Sequence, residues 1–363
     1  MGKNNQLRFD NEIIYCGIDV HKTNWKINAW MNNIEISKFS QNPDVFLLKK
    51  YFEKNYPGAH LKVVYEAGFC GFGIQRSFTD LGINCQVVNA SDIPATDKDR
   101  KRKNDKRDAR KLSIELANNN LKGIYVPNEL MEHARALVRK RHHLVRDQSR
   151  AMNRIKHLLL CHGLADSIIG ERITEKYIKQ LQMLECGSIV LKQTLHFTIE
   201  QYRQLRIIVK DITLSIRKLS QQEPFLKLQQ QLQTIDGIGL ISGMVIQTEI
   251  MDMYRFKTFD SLCDYTGLVP DIYSSNDRMI VRGISNRGNK FLKDTIIECS
   301  WALLRKDPAM LMKYNEYKKR MNGNKAIIRI AKHLLARVRH IWKNNEAYCN
   351  GIIEPSNNAF LRH

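Results

Sequence analysis

Four carboxylates in the amino-acid sequence could form a metal-dependent site: Asp19, Glu66, Asp105 and Asp108. Asp19 and Glu66 each end a run of apolar residues, which is the pattern of a buried strand. Asp105 and Asp108 are three residues apart, so on a helix they lie on one face. Converging carboxylates repel one another unless a divalent cation neutralises them, and Mg²⁺ prefers oxygen ligands. Four such acids in one place are typical of metal-assisted phosphoryl transfer.

Each acid also has an ordinary structural interpretation. Asp19 could cap a turn or form a salt bridge, and Asp105 could be the N-cap of a helix with Asp108 in its first turn. A carboxylate at the end of a buried strand is costly without a Lys, an Arg or a metal ion beside it. The catalytic interpretation therefore requires that all four acids meet at one edge of a sheet.

The hydrophobic pattern predicts the elements that would position the acids. An apolar run from residue 13 ends at Asp19, a polar turn follows, and apolar and polar side chains alternate from Trp25 to Ala29, which predicts two antiparallel strands joined by a tight turn. The complete order up to about residue 118 is β-β-β-α-β-α-β-α, which predicts a mixed sheet covered by helices. The other strands are predicted near residues 35–39, 61–68 and 85–89, and the helices at 43–55, 73–81 and from about 104.

The net charge predicts a polyanionic partner. The 363 residues have a formal net charge of +21. Residues 98–111 contain nine basic and three acidic side chains, and residues 276–343 contain seventeen basic and five acidic ones. These two stretches hold 18 of the 21 net charges. A merely soluble basic surface would spread the surplus, so its concentration predicts two segments that face nucleic-acid phosphates.

The cysteine pattern and the hydropathy exclude several classes. None of the eight cysteines is in a CxxC or CxH pair, which argues against zinc fingers and a disulfide framework. There is no apolar leader and no run of about eighteen apolar residues, so neither a signal peptide nor a membrane span is predicted. These features predict a soluble protein of the bacterial cytoplasm.

The middle of the chain is predicted to be helical. Residues 133–162 and 198–232 are long amphipathic stretches, and the second has apolar residues near heptad spacing, which predicts a pair of long helices packed as a coiled coil, either internally or between subunits. The basic stretch at residues 133–162 predicts a helix with one face along nucleic acid, or alternatively a solvated face. Next, Gly237-Ile238-Gly239 before a helix predicts a helix-hairpin-helix turn that could hold a phosphate; a simple tight turn is the alternative.

Six motifs together resemble a known family. They are GIDVHK at residues 17–22, YEAG at 65–68, NDKRDARKL at 104–112, GLVP at 267–270, YSS at 273–275 and RGISNRGN at 282–289. In this order they resemble the DEDD transposases of the "one-ten" insertion-sequence family, over nearly the whole chain. The resemblance implies an N-terminal RuvC-like (RNase H-like) domain, a coiled-coil insertion and a mostly helical C-terminal transposase domain with a catalytic serine. It also implies recombination directed by a structured bridge RNA that pairs with donor and target DNA.

The resemblance also assigns site residues. The family's nucleophilic serine follows the Gly-Leu-x-Pro turn and an aromatic residue, and this register favours Ser275 over Ser274. The family often has Gly after its serine pair, where this chain has Asn276-Asp277. Apart from any resemblance, a serine hydroxyl needs a base, a metal or nearby cations to act as a nucleophile, and a turn-forming cluster is the plain alternative. The matched catalytic and metal-binding acids are Asp19, Glu66, Asp105 and Asp108.

The sequence thus predicts an insertion-sequence transposase or site-specific recombinase that depends on Mg²⁺ and works through a phosphoserine intermediate, with one or two ions per acid site. Its predicted partners are double-stranded donor and target DNA and a structured non-coding RNA, and no membrane. Strand exchange needs several sites in register, so we expect a homodimer that assembles to a tetramer, with acids and serine from different subunits. Predicted nucleic-acid contacts are Lys101, Arg102, Lys103, Arg107, Arg110, Arg139, Arg146, Gly237, Gly239, Arg278, Arg282, Arg287 and Lys290.

Other functions stay open at this point. A RuvC-like nuclease would only hydrolyse DNA, so Ser275 would be dispensable, and a DNA invertase of the same chemistry would need no RNA guide. An actin-like or sugar-kinase ATPase also starts with strand-Gly-x-Asp, but no second Gly-rich phosphate loop follows here. A non-catalytic nucleic-acid-binding protein is the last alternative, and metal-dependent cleavage would separate it from the enzymes.

The predicted fold class is α/β plus all-α, in four segments. They are a RuvC-like catalytic domain at residues 1–126, a helical coiled-coil and dimerisation region at 127–234, a transposase domain with the catalytic serine at 235–345 and a tail at 346–363.

Overall fold

The computed structural model describes residues 7–94, 105–164, 174–275, 278–285 and 287–348. The chain forms two compact units, residues 1–126 and 127–363. In the described residues there are a five-stranded mixed sheet, a two-stranded sheet and twelve α-helices. The predicted mixed α/β class is therefore confirmed, and most of the structure is helical. The subdivision of residues 127–363 stays a prediction.

The first unit is built on the five-stranded sheet. Its strands are β1 (Ile13–Val20), β2 (Trp25–Met31), β3 (Ile34–Gln41), β4 (His60–Glu66) and β5 (Asn84–Val88). The spatial order is β3-β2-β1-β4-β5. The first three strands are antiparallel neighbours, and Asn32 and Asn33, both at positive φ, make the tight β2–β3 turn. The pairs β1–β4 and β4–β5 are parallel. This arrangement fits the RNase H-like fold that we predicted.

Helices cover both faces of the sheet. On one face, α1 (Val45–Asn55) and α2 (Gly73–Asp80) bury Leu48, Phe52 and Phe78 against side chains such as Ile18 and Tyr65. On the other face, α3 (Asp105–Ala117) buries apolar residues of its own against β4 and β5. Both faces of the parallel strands are thus covered, which explains why those strands are apolar almost throughout.

The second unit contains nine of the described helices. They are α4 (Glu129–Cys161), α5 (Glu175–Met183), α6 (Ile189–Leu219), α7 (Leu226–Gln233), α8 (Leu240–Ile250), α9 (Phe259–Thr266), α10 (Lys290–Leu304), α11 (Pro308–Lys318) and α12 (Gly323–Asn344). The long helices α4 and α6 pack against each other, with Ile155 and Ile199 buried between them. Whether this pair is a coiled coil stays a prediction.

A β-hairpin interrupts the helices of the second unit. Its strands are β6 (Pro270–Ser275) and β7 (Arg278–Ile284). These two strands were not predicted, although Ile280 and Val281 have β-branched side chains that favour a strand. No helix in the described part of the chain is both long and apolar enough to cross a membrane.

Candidate active site

Asp19 and Glu66 lie at the ends of adjacent strands. The parallel register pairs Ile18 of β1 with Tyr65 of β4, so each acid follows a paired residue by one position. Successive side chains alternate between faces, and Ile18 and Tyr65 belong to the core beneath α1 and α2. Asp19 and Glu66 therefore both lie on the opposite face, which α3 covers.

Helix α3 lies directly on β1 because Gly17 has no side chain. A Cβ at Gly17 would meet the carbonyl oxygen of Ala109, and it would lie 2.6 Å from the backbone nitrogen of Ser113. Asp108 immediately precedes Ala109, and it is partly buried. Three of the predicted acids are thus on or beside the same face of the sheet. Asp105 is the first residue of α3, and its side chain lies outside the described set.

A buried polar network sets the position of α3 over the sheet. The Ser113 hydroxyl donates to Asn28 Oδ1 over 2.7 Å, and both side chains are buried. Trp30 Nε1 donates to the same Asn28 oxygen over 2.8 Å, and Asn28 Nδ2 donates to Glu35 Oε2 over 2.8 Å. Both the oxygen and the nitrogen of the Asn28 side-chain amide thus have hydrogen-bond partners. Such a buried network makes the position of α3 on the sheet specific.

Arg110 extends this network to the surface. Its Nε lies 3.0 Å from Glu35 Oε2, and its guanidinium group lies 5.5 Å from the centre of the Trp30 ring. Arg110 was predicted to contact nucleic acid, whereas the roles of Asn28, Glu35 and Ser113 were not predicted. A polar Asn28 in the middle of an apolar strand was the available signal, because a buried amide needs partners.

Two basic side chains lie next to Asp19. Lys26 is its cross-strand neighbour, and His21 Nε2 lies 2.9 Å from Asp19 Oδ2. The Asp19 side chain is 19% exposed, so it can be reached from solvent. Among the described residues, no group of three or more His, Cys, Asp or Glu side chains has the arrangement of a metal site. Asp19, Glu66 and Asp108 each carry carboxylate oxygens, the type of ligand that a hard divalent cation prefers.

The predicted nucleophile lies in the hairpin of the second unit. Ser275 ends β6 and pairs with Arg278, the first residue of β7, while Ser274 pairs with Met279. The side chains of Ser274, Ser275, Arg278 and Arg282 lie outside the described set. Both candidate serines are therefore next to the tip of a two-stranded hairpin, and the choice between them stays a prediction.

Two glycines hold the two ends of this hairpin together. Gly267, at φ 77°, precedes β6, and Gly288, at φ 100°, follows β7. A Cβ on Gly288 would lie 2.7 Å from the backbone nitrogen of Gly267, so only glycine allows this approach. The Ser285 N–H donates to the Val269 carbonyl over 2.8 Å, and Lys293 Nζ donates to the Ser285 carbonyl over 3.0 Å.

A buried carboxylate lies beneath the base of the hairpin. Glu249 of α8 has no exposed side-chain surface, and it accepts hydrogen bonds from Arg135, Arg139 and Asn289. Burial raises the pKa of Glu249, but the hydrogen bonds from Arg139 and the charge of Arg135 outweigh it, so this pKa lies below its ordinary value. The same hydrogen bonds raise the pKa of Arg139.

The remaining predicted nucleic-acid contacts are in varied settings. Arg139 binds Glu249, whereas Arg146, Arg287 and Lys290 are exposed. Residues 101–103 lie outside the described residues, and the Arg107 side chain lies outside the described set. All of these assignments stay predictions.

The Gly237-Ile238-Gly239 turn lies at the start of α8. Gly237, at φ 91°, packs so closely on α10 that a Cβ would lie 2.8 Å from the Leu303 nitrogen. The Gly239 N–H donates to the Ser242 hydroxyl over 2.8 Å, so this group is used within the turn. The turn borders a cleft of about 620 Å³ that contains Arg141 and Arg217 as well as acidic side chains. The phosphate-binding role of the turn stays a prediction.

Comparison with known proteins identifies the family. A family model described as a DEDD transposase of the IS110 type matches residues 16–162, and one described as "Transposase IS116/IS110/IS902 family" matches residues 229–315. The first match contains all four acids, and the second contains the serine hairpin. The two matches thus define a transposase of the DEDD class.

Similar proteins agree with this class. A putative transposase of Sinorhizobium fredii, y4qE, is 29% identical over 67% of this chain and 58% of its own length. The transposase for insertion sequence element IS1111A of Coxiella burnetii is 24% identical over 63% of this chain and 62% of its own length. A second putative transposase of S. fredii, y4rJ, is 26% identical over 93% of both chains. The chain thus spans about three fifths of the first two relatives, and it belongs to the IS110 family of transposases.

Proposed function

We propose that this protein is an insertion-sequence transposase that cuts DNA strands and rejoins them to new partners. One observation supports this proposal most strongly: Asp19 and Glu66 end adjacent parallel strands on the sheet face that α3 covers, with Asp108 beside the helix–strand contact. The resemblance of the motifs and the family membership support the same conclusion.

The four acids would hold Mg²⁺, one or two ions per site. Asp19, Glu66 and Asp108 offer carboxylate oxygens, and Asp105 begins the same helix as Asp108. When bound, the metal would neutralise the acids and stabilise charge on the phosphate that reacts. The acids themselves would hold the metal in place, and Lys26 beside Asp19 would add a cation near the DNA backbone.

Cleavage and rejoining of the DNA strand would both use Ser275, with Ser274 as the neighbouring candidate. Its Oγ would attack the phosphorus of a DNA phosphodiester, the bond to the leaving deoxyribose oxygen would break, and that oxygen would take up a proton. The energy of the broken bond would be kept in a phosphoserine link. A hydroxyl of a second strand would then attack the same phosphorus and release the serine, so no external energy source is needed.

The partners we propose are donor and target DNA and a structured bridge RNA. The charge surplus in residues 98–111 and 276–343 supports nucleic-acid partners. The RNA guide rests on the family resemblance alone. Exchange of two duplexes requires several catalytic sites, so we propose a homodimer that assembles to a tetramer, with α4 and α6 as the region that joins subunits.

The test uses purified protein, Mg²⁺, the non-coding RNA from DNA next to the gene, and a labelled donor junction. We expect wild-type protein to form a protein–DNA adduct that resists denaturant. The adduct should be absent from Ser275→Ala and from reactions with EDTA, whereas Ser274→Ala, the matched control, should retain it.

The outcomes separate the alternatives. Cutting by Ser275→Ala without an adduct would favour a metal-dependent nuclease, which the self-contained acid site of the first unit could perform. Loss of the adduct in Ser274→Ala alone would make Ser274 the nucleophile. Adduct formation without any RNA would favour an invertase that needs no guide.

A further inference from the structure

Glu249 is the one charged residue of a helix that is otherwise buried and nearly apolar. From Gly243 to Ile250 every residue of α8 is buried, and the Glu249 side chain has no exposed surface. An uncompensated carboxylate in such a place would be very costly. The Glu249 carboxylate therefore needs hydrogen-bonded, charged partners. The elements that supply those partners are the ones that the carboxylate joins.

Two arginines of α4 bind the carboxylate from one side. Arg135 donates from Nε and Nη2 to Glu249 Oε2 over 3.0 and 2.9 Å. Arg139, one turn further along α4, donates from Nε to Oε1 over 2.6 Å and from Nη2 to Oε2 over 2.8 Å. Both oxygens are thus held by planar guanidinium groups, which fixes the plane of the carboxylate as well as its place.

The third partner comes from the end of the serine hairpin. Asn289 Nδ2 donates to Glu249 Oε2 over 2.5 Å, and Asn289 Oδ1 accepts from the Leu292 N–H as the N-cap of α10. The Asn289 N–H donates to the Tyr265 carbonyl over 2.7 Å. Because Asn289 directly follows Gly288, the carboxylate is tied to the point at which the two ends of the hairpin meet.

The backbone at Glu249 is joined to the other end of the hairpin. The Tyr265 hydroxyl donates to the Glu249 carbonyl over 2.7 Å, and Tyr265 lies two residues before Gly267. The guanidinium group of Arg255 lies 4.4 Å from the centre of the Tyr265 ring. Both chain segments that lead into the hairpin are therefore attached to one residue.

We propose that Glu249 is a positioning residue for the serine hairpin: through Asn289 and Tyr265 it fixes both ends of β6–β7 on α4 and α8, so that the serine is presented in one direction. This inference rests on the proposed function, since it assigns the serine of that hairpin to catalysis. Buried ion pairs contribute little net stability compared with apolar packing, so orientation is what such a network supplies. Misplacement of a reacting group by about 1 Å can slow a reaction about a hundredfold.

The sharpest test is Asn289→Ser in the full-length protein with RNA and DNA. Serine is a good N-cap, so it can still accept from the Leu292 N–H, but it is too short to reach Glu249. Asn322→Ser is the matched control, because Asn322 caps α12 in the same way through the Lys325 N–H and donates to no carboxylate in the described part of the chain. Glu249→Gln is the second variant, since it keeps the size of the side chain and removes its charge.

Two readouts are needed. Hydrogen–deuterium exchange of the peptides that cover residues 268–289 should become several-fold faster in Asn289→Ser and stay unchanged in Asn322→Ser. In Asn289→Ser, the rate of serine–DNA adduct formation at saturating DNA should fall about tenfold to a hundredfold, with DNA affinity and melting temperature unchanged.

Unchanged exchange in Asn289→Ser would overturn the proposal. Faster exchange with an unchanged adduct rate would also overturn it, because the anchor would then have no effect on the serine. If wild-type protein forms no adduct at all, the proposed function fails, whereas the exchange experiment still reports whether Glu249 anchors the hairpin.

Discussion

The two units hold their candidate catalytic elements in different ways. Helix α3, which carries two of the acids, is held on its sheet by backbone contact at Gly17 and by neutral hydrogen bonds between Asn28 and Ser113. The serine hairpin is held by a buried charge, the carboxylate of Glu249 between two arginines. One anchor depends on close packing, and the other depends on ionisation.

This difference follows from what each element packs on. A helix on a sheet has a continuous apolar contact, so a few neutral hydrogen bonds are enough to set its position. An isolated two-stranded hairpin is marginal without support from the rest of the fold. The buried carboxylate of Glu249 supplies such support at the base of the hairpin. The two anchors should therefore respond differently to added volume, to pH and to salt.

The largest effect is expected from Gly17→Ala. The added methyl group would collide with the backbone of α3 at Ala109 and Ser113, neither of which can turn away. We expect the first unit to lose more than about 3 kcal/mol of its free energy of unfolding, at the upper end of overpacking effects. Urea-induced unfolding of wild type and Gly17→Ala measures this loss of free energy. Gly73→Ala is the control, because a Cβ there meets nothing within 4 Å, and it should be neutral or slightly stabilising. Equal stability of the two variants would contradict the close contact.

A pH series should separate the neutral anchor from the charged one. Glu249→Gln should lower the free energy of unfolding by about 3 kcal/mol at pH 7, because two arginines lose their charged partner. The pKa of Glu249 is lowered in the folded state, so its contribution is complete above the ordinary value of 4.5 and is lost as the pH falls below that. The difference in the free energy of unfolding between wild type and Glu249→Gln should therefore become smaller at acidic pH.

Ser113→Ala is the comparison for that series. It removes one buried hydrogen bond, so it should cost about 1–2 kcal/mol. Neither Ser113 nor Asn28 titrates, and the cost should be the same at pH 4 and pH 7. If the free energy of unfolding of Glu249→Gln differs from that of wild type by the same amount at every pH, the charge of Glu249 is not what stabilises the fold.

The smallest effect is expected from Arg110→Gln. Its ion pair with Glu35 is half exposed, so the free energy of unfolding should change by less than about 1 kcal/mol, and the change should vanish in high salt. Arg8→Gln is the control, since Arg8 pairs with Asp10 on the surface of the same unit. If Arg110 also binds a phosphate, the slope of log affinity against log salt for DNA should fall by about one in Arg110→Gln only. Equal salt slopes in both variants would remove Arg110 from the nucleic-acid surface.

Much of the first unit could be predicted from the sequence. Alternation and apolar runs are local signals, and they indicated the strands that end at Asp19 and Glu66 and the helix that begins near Asp105. The buried partners of α3 could not be predicted, because Asn28 and Ser113 are 85 residues apart and only folding makes them neighbours. In the second unit, β6 and β7 were not predicted, since a short hairpin of mixed polarity has no clear period.

The amino-acid sequence by itself determined the family, the four candidate acids and the mixed α/β class, because motifs, spacing and periodicity are properties of neighbouring residues. Only the tertiary structure decided that α3 packs on Gly17, that Arg139 binds a carboxylate and that Asn289 connects the end of the serine hairpin to Glu249. Those contacts join residues far apart in the chain, and a side chain's partner depends on which surfaces the fold brings together. A basic residue in a helix has the same local pattern whether it binds a phosphate or a buried acid 110 residues away.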